Sequence, residues 1–197
     1  VNVRITIVTN TDKEMTEPHV ELKSVHFGYS REWGSNGRFD ADVWINGVKC
    51  MKAIDEGNGG EIDYEHFIYK NPQAKQVKAN IKLLEAYIKT MPKQSLGGIH
   101  EGGKLVMFTI DMDLYINNLL DKMSTEKFQK KLLKHFEKAI CFGVPNGKQY
   151  RSVYWTGKTL AQIDKINLQR TYDKTKAGLG KGETILNTNL QALGINL

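Results

Sequence analysis

Cysteine, proline and long apolar runs are all scarce in this chain of 197 residues, which holds two cysteines and four prolines. No apolar stretch approaches the roughly 20 residues that a membrane-spanning helix needs. Cys50 and Cys141 share no motif spacing with each other or with the five histidines. A disulfide scaffold or a zinc cluster is therefore not expected, and two buried thiols in a reducing cytoplasm are. The opening VNVRITIVTNTDKEM lacks the basic and apolar regions of a signal peptide, and residues 2–9 alternate like a strand. Cofactor fingerprints and closely spaced catalytic constellations are missing as well. No cofactor and no metal site are expected, and the absence weighs against an enzyme.

What is present fits one globular domain with or without an appendage, at 40% hydrophobic and 25% charged residues. Charge is unevenly placed. Residues 1–70 carry 8 Lys and Arg against 12 Asp and Glu, whereas residues 71–197 carry 20 against 10. A basic region attracts nucleic acid or acidic protein surfaces, and an acidic region repels phosphate. The expected organisation is an acidic β-rich part over 1–70 and a helical part over 71–144 packed on it as one domain. A basic tail over 145–197, with a strand and a tethered amphipathic helix, completes it. The fold class is α+β, a mostly antiparallel sheet covered by helices.

Within the acidic part, residues 19–29 and 38–45 are rich in β-branched and aromatic side chains. Asn46-Gly47 suits the positive φ angles of a two-residue type I′ hairpin. Closing it pairs Ile45 with Val48, Val43 with Cys50, Ala41 with Lys52 and Phe39 with Ile54. That register places the apolar residues on one face, with Lys52 the exception. The stretch IDEGNGGEIDYEHF (54–67) follows. Its glycines lead into an extended segment rather than a helix and are flanked by acids, so the spacing predicts a turn and no phosphate loop. Asp40 and Asp42 share one face, as do Glu61, Asp63 and Glu65. Such acids can gather a divalent cation or form the solvent face of a sheet, and the alternation predicts the latter.

The strand, the FDADVWINGVK hairpin and the DEGNGG turn, over residues 25–65, resemble small bacteriophage and integrated-element proteins of unassigned activity. The resemblance implies a viral or mobile-element accessory protein in the cytoplasm of a bacterial host. It implies no catalytic residue.

In the basic part, Asn71-Pro72 suits a helix start, and Val77, Ile81, Leu84, Ile88 and Met91 form an apolar stripe ended by Pro92. Residues 92–104 are glycine-rich and read as a mobile loop around His100-Glu101, which lacks the second histidine of a zinc helix. KLVMFTI (104–110) reads as a buried strand. Asp111 or Met112 opens a helix through Met123, with the acids at its start explained by capping. Ser124 caps a further helix burying Phe128, Leu132, Phe136 and Ile140 and carrying Lys127, Lys130, Lys131, Lys134 and Lys138. QYRSVYW reads as a strand and 173–183 as a tether. A last helix uses Ile185, Leu186, Leu190 and Leu193, and could dock on its own core or join a second copy as a homo-oligomer.

Two functions follow as expectations. The first is a non-catalytic accessory protein that binds and modulates a host protein, such as a counter-defence inhibitor, through Arg31, Trp33 and Arg38 of the loop YSREWGSNGR. The second is DNA or RNA binding by the basic region, through Lys127, Lys130, Lys131, Lys134, Arg151 and Arg170.

Overall fold

The computed structural model describes residues 16–30, 35–147 and 149–197. The strand expected over 2–9 lies outside them. The chain packs as two compact units, 1–119 and 120–197.

The first unit is built on an antiparallel sheet of β1 (Val20–Ser30), β2 (Ser35–Ile45), β3 (Val48–Asp55) and β4 (Asp63–His66), in that spatial order. Asn46 and Gly47 take φ of 50° and 77°, so the turn between β2 and β3 is the one the dipeptide predicts. The register beyond it differs from the expectation. Ile45 faces Val48 and Trp44 faces Lys49, but Val43 then pairs with Met51, Ala41 with Ala53 and Phe39 with Asp55. Cys50 is the extra residue of a β-bulge, and both Cys50 and Met51 turn inward. The slip by one residue moves Lys52 off the core face and puts Ala53 there instead.

Helix α1 (Ala74–Thr90) covers the inner face, burying Val77, Ile81, Leu84 and Ile88 as its periodicity predicts. It also buries Asn80, whose Nδ2 donates to the Ile45 carbonyl at 2.8 Å. Asn71 accepts from the Gln73 N–H at 2.9 Å, so it orders the turn before the helix rather than capping it. The glycine-rich segment expected as a loop is strand β5 (Gln94–Glu101), paired with β6 (Lys104–Phe108) across Gly102-Gly103. Two glycines at positive φ make a tight hairpin, so glycine content here marks a turn and not a loop. β6 is not the buried strand expected, because Leu105 and Met107 are each about half exposed.

A single helix α2 (Met112–Phe136) replaces the two expected. Ser124 lies in its interior with no glycine or proline near it, and one serine costs a helix only a few tenths of a kcal/mol, about 0.5. Residues 112–119 of α2 belong to the first unit and the remainder to the second.

In the second unit β7 (Ala139–Gly143) is the centre of a three-stranded antiparallel sheet, flanked by β8 (Arg151–Tyr154) and β9 (Thr184–Ile185). Ile140 is therefore in a strand and not in the preceding helix. Alternation along β7 sorts the core into two layers. Ala139 and Cys141 pack with Leu132 and Phe136 of α2. Ile140 packs on the opposite side with Leu160, with Leu168 and Tyr172 of α3 (Lys165–Ala177), and with Leu190 and Ile195. Asp164 caps α3, accepting from the Asn167 N–H at 2.9 Å, and Gly178 follows its end. Residues 173–177, expected in a tether, are thus helical. The last expected helix forms only β9 and one 3-10 turn, Gln191–Leu193. Asn187 and Asn189 explain why, since both side chains are spent on the end of α2 and on β7.

Candidate nucleic-acid interface

The α2 segment in the second unit has a sharp division of faces. Phe128, Leu132 and Phe136 recur every fourth residue and turn to the sheet. Lys127, Lys130, Lys131 and Lys134 fall within about 100° of one another around the axis, and Lys138 follows just after the helix. All five are exposed, and among the described residues none forms an ion pair. Lys138 lies just past the helix, in a turn closed by its N–H to the His135 carbonyl at 2.9 Å. The unit as a whole has 14 Lys and Arg against 6 Asp and Glu, a net of +8.

The two arginines expected beside these lysines are placed differently. Arg151 on β8 is bonded to Glu183 and lies over the Phe142 ring at 4.7 Å. The Gly180 N–H, and then Arg151, hold the Glu183 carboxyl below its ordinary range. Arg170 is exposed on α3, the layer on the other side of the sheet from α2. The four lysines named from sequence thus share one surface, and the arginines are not part of it.

A cleft of ≈ 390 Å³ opens at the end of the stripe, lined by His135, Lys138, Tyr154, Trp155 and Lys158 among others. Three elements build it. His135 is on the last turn of α2, its Nδ1 sharing a hydrogen bond with the Tyr150 hydroxyl at 2.9 Å. Tyr154 ends β8 and is 64% exposed, and Trp155 packs partly on the inner core. The turn 155–158 is closed by the Lys158 N–H to the Trp155 carbonyl at 3.2 Å, and the Leu160 N–H anchors it to the Glu137 carbonyl at 2.8 Å. Tyr154 and Trp155 are among the aromatics that the sequence interleaves with basic residues, a pattern able to grip single strands, but His135 and Lys158 join them only through this packing.

On the acidic face of the first unit Asp40 and Asp42 are charge-paired, while Glu61, Asp63 and Glu65 are exposed. Lys49 reaches Asp42 at 2.8 Å, and Asp40 holds both Lys52 and His26 at 3.3 Å. Burial works to raise the Asp40 pKa, but the hydrogen bonds from Lys52 and His26 outweigh it and the carboxyl is held low. The bulge at Cys50 makes this possible, because it turns Lys52 toward the acids. Among the described residues no group of three or more His, Cys, Asp and Glu is gathered as a cation site. Asp111 caps α2 by accepting from the Leu114 N–H at 2.8 Å. Asp113 accepts from the Ile62 N–H at 3.0 Å and from the Tyr64 hydroxyl at 2.9 Å. Between β3 and β4 the glycines of the 54–67 stretch form a turn as expected: Asp55 accepts from the Gly57 N–H and Asn58 from the Gly60 N–H.

Arg31 and Trp33 lie outside the described residues. Arg38 is described and exposed, 3.5 Å from Glu56. Among the described residues no helix is long and apolar enough to cross a membrane. No protein-family model, curated protein or solved structure matches the chain.

Proposed function

We propose that this is a non-catalytic nucleic-acid-binding protein whose second unit grips the phosphate backbone. One observation carries the reading: four exposed lysines with no ion-pair partner among the described residues align on one face of α2, and a fifth, Lys138, is exposed in the turn that follows it. A lysine ammonium is a mobile point charge suited to phosphates, and a solvated stripe on a rigid helix presents a repeated set of them. The acids of the first unit repel phosphate and offer no comparable attraction. Phage or mobile-element origin, implied by the resemblance over residues 25–65, is compatible with such an activity. The host-protein reading rests on sequence alone, since only Arg38 of its three residues is described.

The test is fluorescence anisotropy of the full chain with labelled oligonucleotides across a salt series. Five phosphate contacts give a log–log slope of about −3.5 on single strands and about −4.5 on duplex. Replacing Lys127, Lys130, Lys131 and Lys134 by Gln should flatten that slope and weaken binding on every sequence alike. Binding that is undetectable, or indifferent to salt, rejects the proposal.

A further inference from the structure

The lysine stripe does not end in open solvent. Its last member, Lys138, also lines the 390 Å³ cleft, together with Lys158 and Tyr154. Cations that meet phosphates and an aromatic face on which a base can stack are the two components of single-strand binding. Here they are contiguous. The volume falls in the range that seats small ligands, roughly 300–1,000 Å³.

We infer that this cleft receives one unpaired nucleobase, and that the protein therefore prefers single-stranded nucleic acid to duplex. The inference rests on the proposed phosphate grip and adds to it the class of strand bound. Tyr154 supplies the stacking surface, the residue being 64% exposed. Trp155 forms the fixed side, held by its packing on the inner core. His135 has its Nδ1 committed to Tyr150 at 2.9 Å, which leaves Nε2 as the ring nitrogen available to a base edge. Thr156 adds a hydroxyl that both donates and accepts. Lys138 and Lys158, both in the lining, supply cations for the phosphates flanking the base, and no carboxylate is among the residues lining the cleft. A base in a duplex is stacked and paired, so entering the cleft would first cost its unpairing.

The experiment compares the full chain on three labelled probes at one salt concentration: oligothymidylate of about 12 nucleotides, the same length of abasic backbone, and duplex. Thymidylate should bind about tenfold tighter than the abasic strand, the worth of one stacked base. Tyr154→Ala should remove that advantage while leaving abasic and duplex binding unchanged. Its melting temperature should hold, because the residue is exposed. His135→Ala, read the same way, provides a second variant on a different wall. Equal affinity for thymidylate and abasic strands, with lysine dependence retained, overturns the base-binding inference and leaves the phosphate grip standing. No binding to any probe overturns both.

Discussion

Tyr64 donates its hydroxyl hydrogen to Asp113 at 2.9 Å, fastening β4 to the first turn of α2 within the first unit. The same carboxylate accepts from the Ile62 N–H at 3.0 Å, so one side chain fixes the whole exit of the 54–67 turn. Asp113→Ala should cost about 2–3 kcal/mol in urea denaturation, since hydrogen bonds to a charged group are each worth more than neutral ones. Tyr64→Phe alone should cost about 1 kcal/mol, and almost nothing once Asp113 is already Ala. Additive losses would show that the two groups do not act together.

Alkaline pH should reach the same contact. Burial first, then the hydrogen bond and charge of Asp113, push the Tyr64 phenol well above its ordinary value. Its neutral form is favoured in the folded state. The stability linked to it is fully present below the unfolded tyrosine value of about 10 and is lost as pH rises beyond it. Tyr115 adds to this, being pushed by burial up to about 12. Urea midpoints should fall above pH about 10, and less steeply in Tyr64→Phe. An unchanged steepness in that variant would assign the loss to other groups.

Asn187 should matter more than an asparagine in a short connection ordinarily does. Its Oδ1 accepts from the Cys141 N–H at 2.6 Å, and its Nδ2 donates to the Ala139 carbonyl at 2.9 Å. Asn187→Ala takes the partner from the Cys141 N–H and leaves the Ala139 carbonyl only the weak Cys141 thiol donor at 3.8 Å, which should cost about 2–4 kcal/mol. Faster amide exchange at Cys141 is the direct readout. Asn189→Ala removes its bond to the Phe136 carbonyl at 2.9 Å and the one its Oδ1 accepts from Asn187 Nδ2 at 3.2 Å, but the Phe136 carbonyl keeps Asn187 Nδ2 at 3.4 Å, so it should cost about half as much.

The arginines provide an internal control for the lysine stripe. Arg151→Gln and Arg170→Gln should each change the salt slope of nucleic-acid binding by well under about 1, the value of one lost phosphate contact. A full loss at either position would move the interface to the α3 side of the sheet.

Legibility in the sequence followed the range over which each signal acts. Asn46-Gly47 and the Val77-to-Ile88 stripe are local patterns, and both elements formed where their spacing predicts. The bulge at Cys50 is decided by which of two apolar neighbours, Cys50 or Met51, faces Val43, and spacing is indifferent to that. Lys52 landing on the core face was the one trace it left. Ala139–Gly143 is a short apolar run directly after a helix, where periodicity does not distinguish strand from helix. Helix α3 was hidden because it buries only Leu168 and Tyr172, too few for a stripe. The lysines of α2 were visible as a group because one helix carries them. The cleft was not, because His135, Tyr154 and Lys158 belong to three different elements.

The two cysteines have a consequence for anyone who wishes to watch this molecule open. Cys50 lies in the core of the first unit and Cys141 in that of the second, and neither exposes any surface. Burial raises the Cys50 thiol and pushes Cys141 up to about 11, so both are poor nucleophiles while their surroundings are intact. A thiol-reactive label will therefore attach only where the core has come apart. The position labelled, 50 or 141, tells which unit opened first: the chain carries one latent reporter for each half.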